Sequence, residues 1–234
     1  MPKSIVVFLL AVIAAIPSLP ALAAPITIPV GLNPGDHYRV AFVTSTTTTA
    51  ASSSIADYNA LVTTTANSSG PLAALGTTWT AIASTLAVNA EDNTNTNPAF
   101  SAGVPVYNLA GSLVAPNNSV LWGATFTTFL SDRVDITETG ATYTNLVWTG
   151  THEFGVGAGI YTLGSGNSVY YAGLAGDSSR NWMAYSGIGP TSLLFPLYGL
   201  SGVLTVPVPE PSSMVLACLA AAGLVLASLR RRRN

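Results

Sequence analysis

Cysteine is almost absent. The 234 residues hold one, Cys218, and none falls between residues 24 and 207. That stretch can form no internal disulfide, so its core must hold it together. Lysine is as scarce: only Lys3. Charged residues of either sign make up 8% of the chain. Between 24 and 207 the basic residues are Arg39, Arg133 and Arg180, against nine carboxylates, a net charge of minus six. An acidic, lysine-free surface excludes nucleic acid as a partner. There is no Gly-x-Ser-x-Gly elbow, and no cysteine nucleophile is available in this stretch. Gly155, Gly157 and Gly159 are followed by neither lysine nor a helix start, which excludes a phosphate loop. No repeat of fixed period is present. The residues point to no catalytic motif, so no enzyme activity and no cofactor is expected.

What is there begins at the ends. Met1-Pro2-Lys3 is a short basic start, Ser4 to Ile16 is apolar, and Pro17 and Pro20 precede Ala21-Leu22-Ala23. This is the pattern of a secretory signal peptide over residues 1–23, which engages the secretion translocon. At the other end Ser212 to Leu229 carries no charge. As a helix these residues rise about 27 Å at roughly 1.5 Å each, enough for a minimal single transmembrane helix. Pro209 and Pro211 set its start, because proline cannot continue a helix upstream. Arg230, Arg231, Arg232 and Arg233 follow at once and favour a cytoplasmic C-terminus, with the preceding domain outside.

Val208, Pro209, Glu210 and Pro211, then the apolar run, then the arginine cluster, resemble a PEP-CTERM sorting signal over residues 208–234. The resemblance implies recognition by an exosortase-type processing enzyme and a transient anchor in the inner membrane. Delivery to the cell surface or extracellular matrix, in association with exopolysaccharide, would follow. On this reading residues 24–207 are the exported domain.

Within that domain, His37 to Val43 alternates and predicts a strand with Tyr38, Val40 and Phe42 on one face. Thr44 to Ser53 reads as loop. Ser54-Ile55-Ala56-Asp57 has the form of a helix start, with the Ser54 hydroxyl placed to accept a backbone N–H. Helical spacing then runs to about Ala66, and Asn67 to Pro71 ends it. Trp79 to Ser84 is a predicted strand. Leu86 to Asn97 is polar, with at most one helical turn. Val104 to Leu109 is extended and turns at Ala110-Gly111-Ser112 into Leu113 to Ala115, and Asn117-Asn118 opens a loop. Leu146 to Thr149, Ile160 to Leu163 and Val169 to Ala172 are short strand candidates. Trp182 to Tyr185 and Leu197 to Val206 close the domain, with Gly199 and Gly202 marking a bulge or a close backbone approach. An early helix followed by many short strands predicts an α+β class.

Trp79 to Ser84, Val104 to Leu113, and Val147-Trp148-Thr149-Gly150-Thr151 form an ordered set of phrases. In it the domain resembles a C-type-lectin-like fold of the endostatin type. The resemblance implies that the first strand, Tyr38 to Val43, lies beside the last, Leu200 to Val206. The cysteines and zinc-binding histidines of endostatin have no counterpart here. Nor does the calcium-dependent sugar-binding pattern of true lectins, so the fold carries over without its ligand chemistry.

Two groups of residues are site candidates. Trp148, His152 and Glu153 sit in a Gly-rich stretch, where an indole can stack on a sugar ring and a His/carboxylate pair can move protons. The competing reading is a plain polar loop. Asp132, Asp135 and Glu138 recur every third residue and offer the oxygen ligands that calcium takes. Their spacing is not that of an EF-hand, and a solvated acidic loop competes. The expectation is a non-enzymatic surface or matrix protein that binds glycans. The alternatives are a glycoside-hydrolase-like enzyme acting on exopolysaccharide, or a purely structural matrix protein.

Overall fold

The computed structural model describes residues 28–123 and 129–208. The signal peptide, Pro209 to Pro211, the apolar run 212–229 and Arg230 to Arg233 lie outside the described residues. Among those described, no helix is long and apolar enough to cross a membrane.

The domain is α+β and organised around β1 (His37–Val43). Alternation buries Tyr38, Val40 and Phe42, but Arg39, Ala41 and Val43 are buried as well. The strand is central, and both its faces are covered. Phe42 packs with Tyr58, Val62 and Trp79, while Ala41 and Val43 pack with Val106, Val114 and Tyr198 in a separate cluster. Along one side β1 pairs in parallel with β3 (Val106–Asn108), which turns back antiparallel into β4 (Leu113–Ala115). Along the other it pairs antiparallel with β8 (Tyr198–Ser201) and β9 (Leu204–Thr205), and β2 (Trp79–Ala81) lies outside β8. The registers Ala41↔Leu200, Val43↔Tyr198 and Tyr38↔Leu204 set the first strand beside the last two, as the resemblance implies.

Gly202 falls between β8 and β9, and Gly199 is a site of close approach. A Cβ on Gly199 would lie 2.4 Å from Phe42 Cε1 and 2.7 Å from Val62 Cγ1. Glycine there lets α1 (Ile55–Ser68) press against the sheet. The helix runs two residues past the predicted end. Ser54 is its N-cap, yet the hydroxyl makes no cap bond. Just ahead of it, the Ser52 hydroxyl accepts from the Ser54 N–H at 3.1 Å and donates to Asp57 at 2.6 Å, tying the entering loop to the first turn. Gly70 and Pro71 do not stop the chain in a loop. They open a second turn, α2 (Gly70–Ala73), because proline is accommodated at a helix start.

Three other local predictions are corrected. Asn117 opens a short helix, α4 (Asn118–Leu121), by accepting the Val120 N–H at 2.9 Å. Ile160 to Leu163 is not a strand: Gly159–Tyr161 is a single 3-10 turn. Trp79 to Ser84 is a regular strand only as far as Ala81; beyond it Ser84 bonds to Thr149 and Leu163 before the chain runs into α3 (Ala90–Asn93). Leu146 to Thr149 and Val169 to Ala172 do form strands, β5 (Leu146–Trp148) and β6 (Tyr170–Leu174). With β7 (Ser186–Ile188) they make a three-stranded antiparallel sheet. Helix α5 (Asn181–Ala184) lies over β6. The small sheet joins the Val43 end of the large one: Trp148 bridges Leu197, and the Thr44 N–H donates to Leu197 O at 2.8 Å.

Candidate functional site

Trp148 is fully buried. It lies on β5, its ring edge-on to Phe195 at 4.8 Å and to Tyr170 at 6.2 Å, and its N–H donates to Thr48 O at 3.1 Å. An indole enclosed in this way offers no face to a sugar, so the sequence-based choice of Trp148 as a ligand contact is corrected to a core role. Flanking polar residues misled because Thr149 and Thr151 are themselves buried and hydrogen-bonded, Thr149 to Met183 O at 2.7 Å and Thr151 to Thr149 O at 2.8 Å.

His152 and Glu153 turn to separate partners. Glu153 forms an ion pair with Arg180 at 2.7 Å. His152 is exposed and stands edge-on to Tyr171 at 5.9 Å. Glu153 and Arg180 line a space beside the stacked Trp122–Trp182 pair, whose ring centroids are 6.2 Å apart. That space holds only about 20 Å³, room for a water and not for a sugar.

The acidic trio does not converge. Asp132 accepts the Arg133 N–H at 2.8 Å, and Asp135 faces the Arg133 guanidinium at 3.9 Å. Glu138 is buried and accepts the Ser45 N–H at 2.8 Å and the Ser45 hydroxyl. Among the described residues no group of three or more His, Cys, Asp or Glu could hold a metal ion. The calcium candidate is therefore withdrawn. These carboxylates tie loops down, and Glu138 clamps the turn after β1.

Glu91 is the other buried carboxylate among the described residues. Burial, and then the neighbouring Asp92, push its pKa up. It accepts from Asn97 Nδ2 at 2.9 Å, which also donates to Asp92. A glycosidase sets two carboxyl groups roughly 5–10 Å apart across a cleft. Glu91 and Glu138 instead belong to separate local networks.

Arg39 drew no attention in the sequence, yet its guanidinium is buried in the large sheet. It donates to Thr94 O at 3.1 Å, Ser201 O at 2.9 Å and Asn95 O at 3.4 Å. Desolvation lowers its pKa. It tethers the end of α3 to β1 and β8 and neutralises carbonyls that would otherwise be orphaned.

The solvent-facing aromatic site lies on the small sheet. Tyr171 and Tyr161 meet edge-on at 5.5 Å. With Val169 and Gly187 they line a recess of about 250 Å³. Tyr161 is 38% exposed. Gly187 is the register partner of Tyr171 on β7, and with no side chain there the phenol ring stays partly exposed. No charged side chain lines this recess, and the His152 ring stands at its edge against Tyr171. The Tyr170-Tyr171 doublet was the available signal: in a strand one ring points in and the other out.

Beyond this geometry, residues 207–233 match the family model for the PEP-CTERM protein-sorting motif. The chain therefore carries a PEP-CTERM sorting motif, which supports an extracellular or surface protein sorted by an exosortase. No curated protein matches the chain.

Proposed function

We propose that residues 24–207 are a non-enzymatic surface or matrix domain with a lectin-like fold that binds a neutral glycan of the exopolysaccharide at the Tyr161–Tyr171 recess. The domain would leave through the secretion translocon and be released from its membrane tail by the exosortase. One observation carries the reading: the exposed Tyr161 ring and the half-buried Tyr171 ring meet beside a recess lined by no charged side chain. Sugar rings present apolar C–H faces that stack on aromatic rings and hydroxyls that need only neutral partners. A recess of about 250 Å³ is of the size of one monosaccharide unit. The domain's low charge suits a neutral ligand.

A glycan-array screen with residues 24–207, followed by calorimetry with Tyr161→Ala, tests this. Loss of one stacking ring should weaken binding at least tenfold, or about 1.4 kcal/mol. Wild-type protein that binds no glycan would leave the structural-filler reading. Release of new reducing ends from exopolysaccharide would establish the enzyme reading instead.

A further inference from the structure

The chain leaves the domain at a pinned point. The Val206 N–H donates to Asp36 O and the Gly35 N–H donates to Val206 O, both at 2.9 Å. Only two residues then separate this pair from Pro209. At most ~3.6 Å per residue, Val206 to Ser212 spans no more than about 22 Å. The headgroup layer alone takes roughly 5–8 Å of that. With residues 212–229 in a bilayer, the end of the domain that holds His37, Leu204 and Val206 cannot rise more than about 17 Å above the lipid surface.

That end carries an unusual share of exposed aliphatic surface. Ile28 is 43% exposed, Val30 94%, Val203 51% and Val208 65%. Ile28 and Val203 face a common groove of about 400 Å³ with Leu75, Leu204 and Pro207. Val208 lies against Gly35, and Val30 follows Ile28 by two residues. Singly such residues need no explanation, but together on one end they form a patch. The nearest charges do not oppose burial in headgroups: Asp36 is engaged by the Asn33 N–H at 2.7 Å, and His37 by the Thr205 hydroxyl at 2.9 Å.

We infer that this end is a membrane-seating face: before processing, Ile28, Val30, Val203 and Val208 rest in the headgroup layer of a lipid bilayer. Seating there fixes the orientation of the domain and holds residues 208–211 at the lipid surface. The inference rests on reading residues 212–229 as a membrane span.

The test uses the full chain with Cys218→Ser, reconstituted in phosphatidylethanolamine/phosphatidylglycerol vesicles. An environment-sensitive fluorophore is placed in turn at Val30→Cys, Val203→Cys and Ile160→Cys. Ile160 is exposed and lies by the small sheet, at the opposite end of β1. Headgroup-level nitroxide lipids should quench the labels at 30 and 203 at least twofold more than the label at 160, with circular dichroism confirming the fold of each variant. Chain extracted from the vesicles by alkaline carbonate would overturn the span reading itself. Chain that stays inserted but shows equal quenching at all three sites would overturn the seating face alone. Protection of 30 and 203 that requires added exosortase would also overturn it, and assign the patch to a protein partner.

Discussion

Gly173→Ala should be among the most damaging single-methyl additions in the domain. Gly173 sits on β6 opposite Val147. A Cβ there would lie 1.9 Å from the Trp182 carbonyl oxygen, 2.7 Å from its carbon and 3.2 Å from Met183 Cα. These are backbone atoms of α5, so no rotamer change relieves the clash. To regain ordinary contact near 3.5 Å, α5 must retreat by roughly 1.5 Å. That displaces Trp182 and Met183 from the core and strains two bonds: Tyr198 Oη to Trp182 O at 3.0 Å and Thr149 Oγ1 to Met183 O at 2.7 Å. Overpacking costs about 1–3 kcal/mol. Orphaning the hydroxyl of fully buried Tyr198 adds about 1–3 kcal/mol. Together the loss is about 2–6 kcal/mol, which for a domain of this size lowers Tm by roughly 4–24 °C. Calorimetry of residues 24–207 measures it. Gly70→Ala is the control, since nothing lies within 4 Å of its Cβ and it opens α2. That change should be neutral or raise stability by up to about 1 kcal/mol through the unfolded chain. If Gly173→Ala melts within about 2 °C of Gly70→Ala, the packing of α5 on β6 is wrong.

Four further outcomes are expected. Arg39→Met keeps the apolar stem but takes the donor from the buried Thr94 and Ser201 carbonyls, and should cost about 2–4 kcal/mol in urea denaturation; a change under about 0.5 kcal/mol would deny the tether. Because burial raises the Glu91 pKa, the folded state holds that proton more tightly than the unfolded chain. Stability should therefore fall as pH rises from 4.5, the ordinary value, through the folded pKa, with Asp135 adding the same sign. Glu91→Gln, which can still accept from Asn97, should flatten that fall in a series of melts, and an unchanged slope would rule Glu91 out as its source. Replacing Arg230 to Arg233 with neutral residues should impair topology and sorting in a reporter fusion, since a span of minimal length relies on its flanking charge. Mass spectrometry of native surface material should also find no peptide joining residues 216–229 to the domain.

The elements legible in the sequence were those whose local pattern matched their tertiary setting. His37 to Val43 read correctly because alternation and β-branching agree. Its burial on both faces was hidden, since Arg39 looks like a solvent residue until three carbonyls surround it. The helix start and its N-cap residue were placed correctly, but the expected Ser54 cap bond is not made. The Ser52 hydroxyl binds Asp57 instead, and only the path of the loop decides that. Ile160-Tyr161-Thr162-Leu163 has strand composition, yet Gly159 at φ +58° turns the chain too tightly for pairing. Of the site residues, His152 was placed at the edge of the aromatic recess. Trp148 was misread because a buried Trp and a ligand-stacking Trp look alike when the polar neighbours are threonines that bond inward. The recess itself joins a 3-10 turn to two strands, and no sequence window contains all three.

The large sheet also explains how a domain without disulfides can hold a recess away from its tether. β1 rises about 20 Å from His37 to Val43 at ~3.3 Å per residue. At the His37 end it pairs with β9, and the chain leaves toward the sorting motif within three residues. At the Val43 end it pairs with β8, whose lead-in at Leu197 bridges to the small sheet that carries Tyr171. A single strand, bonded on both sides and buried on both faces, thus connects the two ends. Pull at the exit loads β1 and β9 antiparallel, where the hydrogen bonds resist sliding together, while the Tyr161–Tyr171 recess stays a strand-length away. On this geometry the proposed glycan would reach the recess with the tail still in the membrane. Removal of the tail would then change the freedom of the domain and leave the proposed binding face intact, so tailed and processed forms should bind the same glycan with the same intrinsic affinity.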